Sequence, residues 1–342
     1  MTFSRRSFVL MSLSSLSLAA CKRGAALLEL AGSTMGTTYN VVALDNGQKV
    51  DKKALHQAIE ANLSKVNVLM SNWDAGSEIS RFNASKGTAP VVVSAELAEL
   101  VGAANDVNML SEGQFDLTLG PVIEAWGFGA TGGHANMPAP ADLAAVMETV
   151  GQDRFLVLQN GQLSKSNPDT QIYLSSIGKG FGVDQVADTI KGFGISDFMI
   201  EIGGDLYVSG LNPEGQPWQI GIESPDALSA QAYRVAQVSN LGMATSGDYR
   251  NYFEKDGQRY SHIIDAQTGR PIIHQTASVT ILAENAMLAD AWATGLLALG
   301  AERGLEIAND LNLAAMFIDR DASAGQKGFT ARSSAAFAQL QA

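Results

Sequence analysis

The sequence predicts an α+β fold, with mixed, largely antiparallel sheets flanked by helices and arranged as two intimately packed halves. Three observations lead there. The apolar segments at 198–202, 206–209 and 218–223 succeed one another through turns, with no room for crossover helices. No internal repeat, low-complexity tract or long linker divides the chain. The 342 residues are 46% hydrophobic and 17% charged, ample core for one large domain or two packed halves.

Residues 1–20 stand outside that fold. "MTFSRRSFVLMSLSSLSLAAC" has two arginines, then an apolar run from Phe8 to Ala20 that is too short to span a membrane. It ends in small residues, which is the pattern of an export signal. Residues 4–8 (SRRSF) resemble a twin-arginine address, and Leu18-Ala19-Ala20-Cys21 resembles the lipobox of bacterial lipoproteins. A lipid on Cys21 is therefore expected, with the chain anchored to a bacterial membrane and facing the periplasm. Residues 21–31 then serve as a linker and 32–342 as the folded domain. Cys21 is the sole cysteine, so there is neither a disulfide nor a cysteine cluster for zinc.

Within the domain, Leu55, Ile59, Leu63, Val66 and Met70 recur at helical spacing over 51–71. A second helix covers 94–113, from an N-cap serine to a glycine. Residues 121–140, rich in Gly and Pro, read as an exposed excursion. Strands are expected at 155–159, 198–202, 206–209, 218–223, 233–239, 278–282 and 315–318, and helices at 176–193, 285–299 and 301–310. The glycines of "EIGGDLYVSG" (201–210) suggest a bulge or close backbone approach, and "ATSGDYRNYF" (244–253) a turn. "YLSSIGKGFGVDQVADTI" (173–190) runs from a strand through glycines into a helix. That arrangement can aim backbone N–H groups at a phosphate, but it lacks the Ser or Thr of a Walker A loop, and a tight helix–sheet contact is the better reading of its glycines.

Formal net charge is −12, and without residues 1–20 the balance is 21 basic against 35 acidic groups, or −14. Such a surface argues against nucleic acid, and it needs basic groups or a divalent cation to hold an anionic substrate. "NAMLADAWATGLLALG" (285–300) sets Asp290 and Thr294 four apart on an apolar helix, hence on one face. A lone buried carboxylate requires a partner, which this segment leaves open between a lysine, a backbone terminus and a metal ion. Of the four histidines, none falls in a zinc-binding spacing. His262 stands between a strand and an Asp-x-x-Thr-Gly turn, beside other polar signals that suit a base.

Taken in order, several segments resemble one family. They are Ser33-Thr34-Met35-Gly36-Thr37, Ser71-Asn72-Trp73-Asp74 through Ser80-Arg81-Phe82-Asn83, and Gln114-Phe115-Asp116 through Trp126-Gly127. Leu174-Ser175-Ser176-Ile177-Gly178-Lys179-Gly180, Gly203-Gly204-Asp205 and Ala244-Thr245-Ser246-Gly247-Asp248-Tyr249 follow, then His262-Ile263-Ile264-Asp265 and Asp290-Ala291-Trp292-Ala293-Thr294. This is similar to the pattern of the ApbE family, the FAD:protein FMN transferases, and it spans nearly all of the chain beyond residue 31.

The resemblance implies an ApbE-like fold and an enzyme that binds FAD with Mg2+, splits the pyrophosphate and joins FMN by a phosphoester to a Thr or Ser of an acceptor protein, releasing AMP. By position, Asp290 and Thr294 match the family's metal ligands, and Ser176 adds its backbone carbonyl. A carboxylate and a hydroxyl one turn apart suit magnesium, a hard ion. Met35, Trp73, Gln114, Phe115, Asp116, Lys179 and Ile264 match FAD contacts, His262 the base, and Thr245 and Ser246 phosphate donors. Tyr173 departs from the family, which commonly has Asp there; it puts the usual carboxylate contact in doubt and offers a hydroxyl instead. The expected acceptors are exported flavin-carrying subunits of membrane respiratory complexes. Two alternatives stay open: an FAD pyrophosphatase using water as nucleophile, and a flavin-binding lipoprotein without chemistry.

Overall fold

β1 (Leu27–Thr34) and β2 (Thr37–Leu44) open the fold as a hairpin, Leu27 lying opposite Leu44 and Thr34 opposite Thr37. The computed structural model describes residues 26–129, 137–226, 231–321, 323 and 328–342. The expected export signal, Cys21 and His134 lie outside the described residues. The linker expected at 21–31 is corrected from Leu27 onward, because Leu28 and Leu30 point alternately inward and bury 93% and 94% of their surface, against an exposed Glu29.

α1 (Lys52–Met70) is capped by Asp51, whose carboxylate accepts from the Lys53 and Ala54 N–H groups. It buries Leu55, Ile59, Leu63, Val66 and Met70, the stripe legible in the sequence. Each such side chain stabilises the fold by about 1.5–3 kcal/mol on leaving water. α2 (Glu78–Ala84), β3 (Val91–Val92) and α3 (Ala95–Leu110) follow, with Ser94 capping α3. The excursion expected at 121–140 begins instead as α4 (Gly120–Ala125), where Pro121 sits in the first turn and Val122 and Trp126 are buried. Proline costs a helix nothing there, since its missing N–H has no intrahelical acceptor. α5 (Pro140–Met147) and α6 (Gln152–Phe155) lead to β4 (Leu156–Gln159) and β5 (Gln162–Lys165), which with β3 form a small sheet.

The remaining elements finish the chain and, among the described residues, supply six strands of the main sheet, three two-stranded sheets and three helices. They are α7 (Gly178–Gly192), β6 (Asp197–Ile202), β7 (Asp205–Ser209), β8 (Trp218–Glu223), β9 (Ala232–Val238), β10 (Leu241–Gly247), β11 (Tyr252–Lys255) and β12 (Gln258–Ser261). β13 (Ile264–Asp265), β14 (Arg270–Pro271), β15 (Thr276–Ala283), α8 (Ala286–Asp310), β16 (Ala314–Arg320), β17 (Phe329–Ser333) and α9 (Ala335–Leu340) follow. Among the described residues the main sheet has eight strands, ordered β1-β2-β6-β7-β10-β15-β16-β17, and every neighbouring pair is antiparallel. The α+β class holds.

This sheet is buried on both faces. Along β16, Ala315 and Phe317 join the core under α3 and α8, while Ala314, Met316 and Ile318 join the core under β8, β9 and α9. Gly203 and Gly204, expected as a bulge, form the turn between β6 and β7 with φ of 57° and 104°. The stretch 244–247, expected as a turn, is the end of β10, held opposite Ile281 to Ser278 of β15. α8 breaks at Gly300 (φ 77°), matching the two helices read at 285–299 and 301–310. No described helix is long and apolar enough to cross a membrane.

Candidate active site

One cavity of about 620 Å³ opens where the ends of β10 and β13 meet α7 and α8. Its wall includes Trp73, Gln114, Phe115, Asp116, Tyr173, Ser176, Lys179, Thr245, Ser246, His262, Ile264, Asp290 and Thr294, thus every site residue expected from the sequence except Met35 and Cys21. Met35 lines an adjoining cavity of about 630 Å³, which shares Trp73, Ser175 and Lys179 with the first. It sits with Gly36 in the two-residue turn between β1 and β2, both at positive φ (50° and 71°). Trp73 is 66% exposed and borders both cavities, where its flat ring suits stacking on a flat ligand.

Asp290 has protein partners. Lys179 on α7 reaches both its oxygens at 3.4 Å, and the Gly180 N–H donates to it at 3.2 Å. The same ammonium donates to Asp205 at 2.6 Å. Two buried carboxylates thus share one lysine. Burial, and then the charge of Asp290, push the Asp205 carboxyl well above its ordinary value. Burial alone would lower the Lys179 pKa, but Asp205 and Asp290 together raise it, so the ammonium is retained. Thr294 adds a hydroxyl to this corner, 3.0 Å from Ser246 Oγ. Among the described residues no group of three His, Cys, Asp or Glu side chains forms a metal centre. A cation here would therefore draw on Asp290 with hydroxyl and main-chain oxygens, a hard donor set that fits magnesium.

α7 and α8 meet closely to make this corner. A Cβ on Gly180 would lie 2.2 Å from the Ala286 carbonyl oxygen, so the glycine serves a helix–helix contact and not the helix–sheet contact expected. Tyr173, just upstream, lies in no strand. Asp184 on α7 accepts from the Ala286 and Met287 N–H groups at 2.8 Å each, capping the start of α8. Burial pushes its carboxyl up to about 7, against those two hydrogen bonds.

His262 follows β12 on the cavity wall. Its Nδ1 lies 3.1 Å from the Asn251 carbonyl, which can only accept, so Nδ1 carries the proton and Nε2 of the neutral ring is a free acceptor. The ring is open to the cavity yet deep in the protein, and burial holds its pKa below the ordinary histidine value. Phe128 meets it edge-on at 6.4 Å.

Other expected contacts are partly engaged within the protein. The Asp116 carboxylate accepts from the Thr118 N–H and hydroxyl and from the Gln152 N–H, and burial raises its pKa in spite of them. Gln114 bonds the Ala266 N–H at 3.2 Å, and Phe115 is 1% exposed. Thr245 pairs across the strands with Thr280 at 2.8 Å. The Tyr173 phenol is held by Glu124; burial and that carboxylate raise its pKa, so it stays a neutral hydroxyl at physiological pH. Asp205 and Asp184 escaped the sequence reading as site residues. The available signal was the same as for Asp290, an acid set among apolar neighbours.

The ApbE family profile matches residues 35–317. An FAD:protein FMN transferase of Haemophilus influenzae is 43% identical over 331 residues, covering 95% of this chain and 94% of that one. The structure resembles the flavin transferase ApbE from Vibrio cholerae (TM-score 0.84, 38% identity, 92% and 99% of the two chains). It also resembles the apo form of the flavinyl transferase ApbE from Pseudomonas stutzeri (TM-score 0.84, 36% identity, 93% and 97%). With a family match across most of its length and relatives this similar end to end, the chain belongs to the ApbE family.

Proposed function

We propose that the chain is an enzyme that transfers FMN from FAD to an acceptor protein. Family membership supports the reaction, and one observation carries its assignment to this site: a single cavity collects an acid–lysine corner, a base with a free nitrogen and an open aromatic ring. In the finer reading, the acceptor is a Thr or Ser hydroxyl. Its proton passes to Nε2 of His262, and its oxygen attacks the phosphorus on the FMN side of the pyrophosphate. A phosphoester bond forms, the P–O bond to the AMP half breaks, and AMP leaves. A positioned base of this kind contributes about 10²–10⁴-fold.

Asp290, Thr294 and the Ser176 carbonyl would hold Mg2+, which when bound neutralises charge on the pyrophosphate. Lys179 supplies a retained cation on the walls of both cavities. Trp73 stacks on a ring of FAD, Met35 borders the neighbouring part of the nucleotide, and Tyr173 offers its hydroxyl where a carboxylate is usual. Thr245 and Ser246 donate to phosphate oxygens, while Gln114, Phe115, Asp116 and Ile264 form the apolar and main-chain wall. Exported flavin-carrying subunits of membrane respiratory complexes are the proposed acceptors, met by an enzyme held on the periplasmic side through a lipid on Cys21. That location rests on the Leu-Ala-Ala-Cys motif. Cys21→Ala should release the chain from membranes or leave it unprocessed, and unchanged fractionation and processing would refute the anchor.

The test of the reaction incubates the protein with FAD, magnesium and an acceptor. Flavin fluorescence that stays with the denatured acceptor supports transfer. Free FMN and AMP beside an unlabelled acceptor would assign FAD hydrolysis instead.

A further inference from the structure

We propose that Asn72 and Asn83 are positioning residues for the nucleotide site, their side-chain amides holding the main chain at 172–174 on the course that places Tyr173 on the cavity wall. That segment belongs to no helix or strand, so its polar groups need partners from elsewhere. Asn83 supplies two: Nδ2 donates to the Ile172 carbonyl at 2.7 Å, and Oδ1 accepts from the Ile172 N–H at 2.7 Å. Asn72 supplies two more: Nδ2 donates to the same carbonyl at 2.8 Å, and Oδ1 accepts from the Leu174 N–H at 2.9 Å. Between them the Tyr173 N–H donates to the Leu117 carbonyl. The two amides do what a neighbouring strand would do. An amide suits both roles, since each asparagine donates through Nδ2 and accepts through Oδ1 at once.

The clamp is itself braced. Ser77 and Ser80 donate their hydroxyls to the Ser71 carbonyl, next to Asn72, at 2.7 and 3.1 Å. The buried Lys165 donates to the Asn83 and Thr170 carbonyls at 3.2 and 3.0 Å, tying the two sides together from behind. On the cavity side the Tyr173 ring lies so close over Gly120 that an added Cβ would come within 1.9 Å of it. Ser176 and Lys179 follow within six residues of Tyr173. A shift of this main chain therefore moves the cavity wall, and displacements near 1 Å cost about 10²-fold where groups must be aligned.

This inference rests on the FAD reading. The test measures FAD affinity by flavin fluorescence with magnesium, and amide hydrogen exchange at Ile172 and Leu174, for Asn72→Ala, Asn83→Ala and the unaltered protein at a temperature where all are folded. About tenfold weaker FAD binding is expected, together with lost protection at the two amides. Where an alanine variant does not fold, Asn72→Asp or Asn83→Asp replaces it, keeping size and acceptor while removing the donor, with the same loss expected. Folded variants that bind FAD within twofold of the unaltered protein overturn the proposal, whatever their Tm, because the clamp would then serve stability alone. If the unaltered protein itself binds no FAD, the functional reading fails and this inference falls with it.

Discussion

Gly180→Ala tests whether the α7–α8 contact sets the acid–lysine corner. The new methyl would meet the Ala286 carbonyl oxygen at 2.2 Å, its carbon at 2.6 Å and Met287 Cα at 2.8 Å, all main chain. Ordinary contact begins at 3.4 Å, so the helices must part by about 1.2 Å. They cannot part freely, because Asp184 fastens the first turn of α8 to α7. Overpacking of this kind costs about 1–3 kcal/mol. The same movement stretches the Lys179–Asp290 contact, already 3.4 Å, and the Gly180 N–H bond to Asp290. Misplacement near 1 Å lowers turnover by about 10²-fold. The assay pairs Tm with the initial rate of FMN transfer at saturating FAD. Gly192→Ala is the control, since nothing lies within 4 Å of its Cβ position. A Gly180→Ala protein as stable and as fast as the unaltered one would refute the argument.

Three further outcomes follow from the site. His262→Gln should lower transfer by about 10²–10⁴-fold and leave FAD affinity within a few-fold; normal transfer with normal stability removes His262 from the reaction. The base is active when neutral, and burial lowers its pKa, so kcat should fall with decreasing pH through a midpoint below 6.5 and stay level above it. An acid limb centred above 6.5 contradicts this assignment. Asp290→Asn should weaken magnesium affinity at least about tenfold and lower transfer with it, without unfolding the protein, since Lys179 keeps Asp205 as partner; full transfer by this variant in excess chelator would sink the metal assignment.

The helices were legible because burial and periodicity coincide. Leu55, Ile59 and Leu63 are fully or almost fully buried on the stripe the spacing marks. Strands whose sequences mix polar residues and glycine were harder to see. β10, "LGMATSG", has little apolar alternation, and it is a strand because β7 and β15 pair with it from both sides. β1 was hidden by its nearness to the export signal, and α4 by a Gly-Pro start that resembles loop chemistry. The site was legible through motif order more than through local pattern. Asp290 alone left its partner undecided, and only the fold brings Lys179 and Asp205 to it from other elements. The work of Asn72 and Asn83 could not be read at all, because it depends on a segment about a hundred residues away.

In the proposed reaction FAD cleavage and acceptor modification are one event. The direct measurement is the intact mass of an acceptor protein, taken alongside released AMP, after incubation with FAD, magnesium and catalytic amounts of the enzyme. An acceptor heavier by one FMN phosphoester is expected, with one AMP per modified acceptor and no mass change when the accepting Thr or Ser is replaced by Ala. AMP accumulating while the acceptor keeps its original mass would contradict that coupling.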